Sequence, residues 1–88
     1  MFELKWPPLK IGDIVRVNDR GMGMYPEIFS EKICGEIVAI IGGVHIGVRF
    51  PTGSIEGHYL DGIISEDSGW WLLEEYVDRV SSAEESGR

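Results

Sequence analysis

Ile33-Cys34-Gly35-Glu36-Ile37-Val38-Ala39-Ile40-Ile41-Gly42-Gly43-Val44-His45-Ile46-Gly47-Val48-Arg49-Phe50 is the stretch on which the fold turns. Two β-branched runs flank a pair of glycines. Both glycines can take φ > 0, so the pattern predicts a tight hairpin in which Gly42-Gly43 joins Ile41 to Val44. The first run reads as a strand from Lys32 or Ile33 to Ile41, and Gly35 within it predicts a bulge or bend. The second reads as a strand from Val44 to Phe50. Its period of two puts Val44, Ile46, Val48 and Phe50 on one face and His45, Gly47 and Arg49 on the other. Cys34, the single cysteine, reads as a small buried hydrophobe. One cysteine allows no internal disulfide, and a reducing, cytoplasmic compartment fits.

Outward from the hairpin, short apolar runs between turn signals continue, and no window carries a helical apolar period. Upstream, Gly12-Asp13 leads into a strand over Asp13-Ile14-Val15-Arg16-Val17. Asn18 to Pro26 reads as the start of a long loop, with one helical turn expected at Glu27-Ile28-Phe29-Ser30. Downstream, residues 51–69 form a second long connection. In it Ile55, Tyr59, Leu60, Ile63 and Ile64 are apolar enough to pack, and Asp61-Gly62 is turn chemistry. Gly69-Trp70-Trp71-Leu72-Leu73 is a strand, Glu74-Glu75-Tyr76 a 3₁₀ turn, and Val77-Asp78-Arg79-Val80 the last strand. The central hairpin is expected to supply one side of the core. The two tryptophans with Val77 and Val80 supply the other. Residues 1–10 read as an extended arm, 11–80 as the domain, and 81–88 as a flexible polar tail.

The chain has 88 residues, 15 acids against 8 bases and a net charge of −7. It is therefore one small domain. Residues 1–50 hold six acids and six bases, whereas residues 51–88 hold nine acids and two bases. The whole surplus thus falls in the second half. An acidic chain of this kind is a poor phosphate binder, so direct nucleic-acid and anionic-membrane partners are excluded. Met1 to Pro8 has no apolar leader core, and no apolar run approaches membrane-spanning length.

The segment Gly69-Trp70-Trp71-Leu72-Leu73-Glu74-Glu75-Tyr76-Val77 resembles the end of SH3 domains, where a glycine-led strand runs through a 3₁₀ turn and a tyrosine into a closing strand. In that alignment Leu73 takes the place of a family proline and Tyr76 that of a groove tyrosine. The acidic-aromatic motif of the opposite groove wall is absent, so proline-rich ligands are not implied. Gly12-Asp13-Ile14-Val15-Arg16-Val17, Gly35-Glu36-Ile37-Val38, Gly47-Val48-Arg49-Phe50 and Gly57-His58-Tyr59-Leu60-Asp61-Gly62, followed by Gly69-Trp70-Trp71, are similar to small SH3-like barrel proteins, many of them encoded by bacteriophages. The expected architecture is all-β: a small five-stranded SH3-like barrel with two long loops and a 3₁₀ turn before the last strand. Closing the barrel would remove exposed edges.

No nucleophile elbow, phosphate-binding glycine loop or paired Cys-x-x-Cys is present, so no enzyme activity, cofactor or metal is expected. His58 and Asp61 are spaced to meet in a turn. They read as a structural loop pair, with Glu66, Asp67 and His45 the further groups that a metal would require. Adjacent Trp70 and Trp71 must face opposite sides of their strand. One is expected in the core. The other either joins Tyr59 and Tyr76 in an aromatic binding patch or lies under the 51–69 loop. Glu66, Asp67, Glu74 and Glu75, with Glu56, Asp61 and Asp78, read either as a solvated face or as a surface for a basic partner. The leading reading is a non-enzymatic protein-binding module in a cytoplasm (the host's, if phage-encoded), monomeric or homodimeric. It would use Tyr59, Trp70, Trp71, Tyr76, Glu66, Asp67, Glu74 and Glu75. The alternative is an acidic nucleic-acid mimic that inhibits a host enzyme.

Overall fold

The computed structural model describes residues 8–42 and 44–82. Most of the expected N-terminal arm, all but the start of the tail, and Gly43 lie outside the described residues. Five strands form one antiparallel sheet: β1 (Ile14–Val17), β2 (Cys34–Ile41), β3 (His45–Arg49), β4 (Gly69–Leu73) and β5 (Val77–Ser81). Their spatial order is β4-β3-β2-β1-β5. A six-residue helix α1 (Asp19–Met24) and two 3₁₀ turns, Leu60–Gly62 and Glu74–Tyr76, complete the chain. No helix among the described residues is long and apolar enough to cross a membrane.

The two outer strands, β4 and β5, are consecutive in sequence and joined only by the second 3₁₀ turn. A flat five-stranded sheet would hold them about 19 Å apart. A 3₁₀ turn advances about 2 Å per residue. The sheet must therefore coil strongly, which folds its inner face around the core. Among the described residues, no ladder of hydrogen bonds joins β4 to β5. The sheet is thus coiled but not closed by backbone pairing.

The core is built from alternate residues of every strand: Val15 and Val17, Ile37, Ile46 and Val48, Leu72, and Val77. Leu9, Phe29, Phe50 and Ile55 cap it from the connections. Leu9 lies within the stretch expected as an arm, yet it is 6% exposed. Ser81 pairs with Ile14 in β5, so the last strand reaches one residue further than expected.

The hairpin differs from its sequence reading by one residue. Ile41 pairs with His45, which makes Gly42, Gly43 and Val44 a three-residue connection and leaves Val44 exposed. Unopposed, such a slip would turn the buried face of β2 to solvent. A bulge at Val38 absorbs it: Ile37 pairs with Val48 on one side and Ile40 with Ile46 on the other. The irregularity expected at Gly35 is thus at Val38. Gly35 answers a different need, since a Cβ there would lie 2.6 Å from Val48 Cγ1 and 2.8 Å from the Arg49 carbonyl. Because Gly35 and Ile37 face inward, Cys34 faces outward, and its expected burial is corrected to exposure. Val80, expected in the core, is 53% exposed. It is the extra residue where the β1–β5 register shifts between Ile14/Ser81 and Val15/Arg79.

The helix α1 replaces the expected loop. Asn18 caps it, its Oδ1 accepting from the Gly21 N–H at 3.1 Å. Gly21 is there for approach rather than freedom: a Cβ would meet the Tyr76 carbonyl at 2.6 Å. One further turn follows, in which Tyr25 O accepts from the Ile28 and Phe29 N–H groups.

Candidate functional site

Three elements converge on one aromatic cluster. Tyr25, at the C-terminal end of α1, stands edge-on to Trp70 of β4 at 5.7 Å and to Tyr76 of the second 3₁₀ turn at 6.0 Å between ring centroids. It also meets Phe29 at 6.3 Å. His58 lies over Trp70 at 5.1 Å. Edge-to-face packing of this kind is a favoured aromatic geometry. Tyr25, Trp70 and Tyr76 are each partly buried and packed against the core.

Asn18 sets the cluster's geometry. Its Nδ2 donates to the Glu75 carbonyl at 3.0 Å, and its backbone N–H donates to the Tyr76 carbonyl at 3.0 Å. The same residue caps α1, so it fixes the helix that carries Tyr25 to the turn that carries Tyr76. Arg20 adds an exposed ion pair with Glu75 at 3.5 Å. Exposed pairs of this kind contribute little to stability.

The 51–69 connection supplies the other wall. His58 and Gly69 form a two-hydrogen-bond bridge that docks the connection on the start of β4. His58 Nδ1 accepts from the Leu60 N–H at 3.0 Å. The imidazole is therefore committed to the backbone two residues on, and no hydrogen bond joins it to Asp61. Leu60 (φ 52) and Asp61 (φ 57) are both left-handed. Leu60 is fully buried over Gly69, where a Cβ would lie 2.5 Å from the Leu60 Cγ. The turn thereby drops Leu60 into the interior and leaves Tyr59 51% exposed beside His58.

Trp71 lies on the opposite face from Trp70. It pairs with Gly47 on β3, and its ring atoms come within 2.8 Å of where a Gly47 Cβ would sit. The missing side chain at Gly47 is the seat of this indole. Tyr25 thus joins Trp70 to Tyr76, Tyr59 stands exposed next to His58 in the chain, and Trp71 is set apart. Glu66 and Asp67 precede β4, and Glu74 and Glu75 follow it. The expected acidic set therefore divides between the two ends of one strand, about 13 Å apart at 3.3 Å per residue. His45 pairs with Leu73, at the far end of β4 from His58. No group of three or more potential metal ligands occurs among the described residues.

Tyr25 escaped the sequence reading because it sits in a glycine- and proline-bounded stretch without periodicity. Its signal would have been the repeated aromatic spacing Tyr25 and Phe29, four apart on a helical turn. Outside this region, a shallow groove of about 310 Å³ is lined by Ile14, Cys34, Gly35, Glu36, Arg49, Phe50 and Pro51. Glu36 and Arg49, both in its lining, form an ion pair at 2.7 Å. No protein-family model, curated protein or solved structure matches the chain.

Proposed function

We propose that the protein is a non-enzymatic protein-binding module of SH3-like barrel type, which engages its partner through the aromatic cluster of Tyr25, Trp70 and Tyr76 with His58 and Tyr59. The observation that carries this reading is the cluster itself. Three half-buried rings from three elements are locked edge-to-face and braced by Asn18. Rigid aromatic groups with one end exposed give large contact area at small entropic cost, and such residues dominate binding hot spots. The strand order, the coiled sheet and the 3₁₀ turn between the two outer strands support the barrel-like architecture. The resemblance to phage-encoded barrels supports an accessory or host-modulating role in the host cytoplasm. Carboxylates beside the cluster favour a partner with a basic surface. A nucleic-acid mimic is not favoured, because the acids divide between the two ends of β4 and Glu75 is occupied by Arg20.

The test is affinity capture from host lysate, followed by titration of the captured partner. Tyr59→Ala and Tyr76→Leu are expected to weaken binding by more than about tenfold, as loss of a hot-spot aromatic does. His45→Ala, at the hairpin end, is expected to leave it unchanged. Equal binding by all three variants, each with a wild-type melting curve, would remove the aromatic site.

A further inference from the structure

The hydrogen bonds of β4 define which of its backbone groups face away from the sheet. Gly69 exchanges both of its bonds with His58, so its N–H and C=O point away from β3. Backbone groups alternate sides along an antiparallel strand. The β3–β4 register runs without a shift from Arg49/Gly69 to His45/Leu73. Trp71 N–H and C=O and Leu73 N–H therefore point to the outer edge as well. Among the described residues the sheet places no strand beyond β4. No backbone bond from Trp71 or Leu73 reaches a connection among the described residues. The described part of the molecule thus carries an unpaired strand edge running past the two tryptophans.

We propose that this edge of β4 receives an extended, basic peptide segment of a protein partner as an added strand. Unpaired edges are templates for strand addition, with main-chain bonds giving affinity and alternate side chains giving selectivity. Charge decides the occupant. From Pro51 to Asp78 the sequence has seven carboxylates and no Lys or Arg. Glu66 and Asp67 stand at one end of the edge, and Glu74 and Glu75 at the other. A second copy pairing antiparallel through β4 would set these two acidic pairs against each other, which opposes self-association. A strand with Lys or Arg at both ends meets complementary charge and gains by it. Trp71 and Leu73, partly exposed on the outer face, offer the apolar contact for its middle residues.

This inference rests on the protein-binding reading and has its own test. The probe is a synthetic six-residue peptide of alternating lysine and valine, titrated into the full chain. Binding is followed by backbone amide signals and by hydrogen exchange. The expected result is saturable binding that weakens with salt and protects the Trp71 and Leu73 amides. A peptide of the same sequence with alternate amides N-methylated should not bind. Leu73→Pro removes one outward N–H at a residue whose φ of −81° suits proline. It should retain the fold and weaken binding at least about fivefold, the worth of one hydrogen bond. Reversing Glu66 and Asp67 to lysine should weaken binding further. No saturable binding, equal binding of the N-methylated peptide, or self-association of the chain through β4 would each overturn the inference. Protection confined to Tyr25, Trp70 and Tyr76 would overturn the edge and leave the aromatic site standing.

Discussion

Leu60 and Ser68 sit in conditions that their local chemistry disfavours. Leu60 holds a left-handed backbone, which costs a residue with a Cβ about 1–2 kcal/mol. Complete burial of its side chain against Gly69 offsets this, since burying a leucine gains about 2 kcal/mol. Ser68 is fully buried and its hydroxyl has no hydrogen-bond partner, although its carbonyl accepts from Phe50 N–H at 3.0 Å. An unmade bond in the interior costs more than the bond would gain. Ser68→Ala is therefore expected to stabilise the protein by about 1 kcal/mol. For a domain of this size that corresponds to a rise in melting temperature of about 5 °C, read by calorimetry.

Among the elements, α1 carries more than its six residues suggest. Asn18→Ala removes its cap, made by Oδ1, and the bridge from Nδ2 to the Glu75 carbonyl. The expected loss is about 2 kcal/mol in denaturant titration. It should come with a weakened near-ultraviolet circular dichroism signal as Tyr25 and Tyr76 lose their fixed orientation. How much of each element could be read from sequence follows from where its determinants lie. The run from Gly69 through Tyr76 carries its own punctuation, and the strand and 3₁₀ turn fall where the sequence places them. The hairpin reading was one residue short because Val38, a β-branched residue with no local mark of a bulge, absorbs the extra turn residue. The helix was missed because Gly21 and Gly23 read as freedom. At Gly21 the glycine is set by a distant carbonyl, that of Tyr76, which no local window contains. Of the aromatic cluster, the sequence singles out Trp70 and Tyr76. The separation of Trp71 follows from strand period alone, whereas the arrival of Tyr25 depends on tertiary contact.

The molecule as a whole is clasped by one buried ion pair. Asp13, 1% exposed, receives the Lys10 N–H at 2.9 Å and the Arg79 Nε–H at 3.3 Å, joining the approach to β1 with β5 across 66 positions. Removing the Asp13 carboxylate takes both of these bonds from the junction of the β1 approach with β5. Asp13→Ala is therefore expected to cost about 3 kcal/mol in equilibrium unfolding. The clasp also shows how unevenly the strands depend on distant sequence. β2, β3 and β4 follow one another as neighbours, while β1 takes β2 on one side and β5 on the other. On a ribosome, the β2–β3 hairpin can pair soon after its residues emerge. Val15 and Val17 must wait, with one flank bare, until the chain has been synthesised through Ser81. The nascent protein therefore passes through an interval with its first strand half-covered, and translation speed between Phe50 and Ser81 sets the length of that interval.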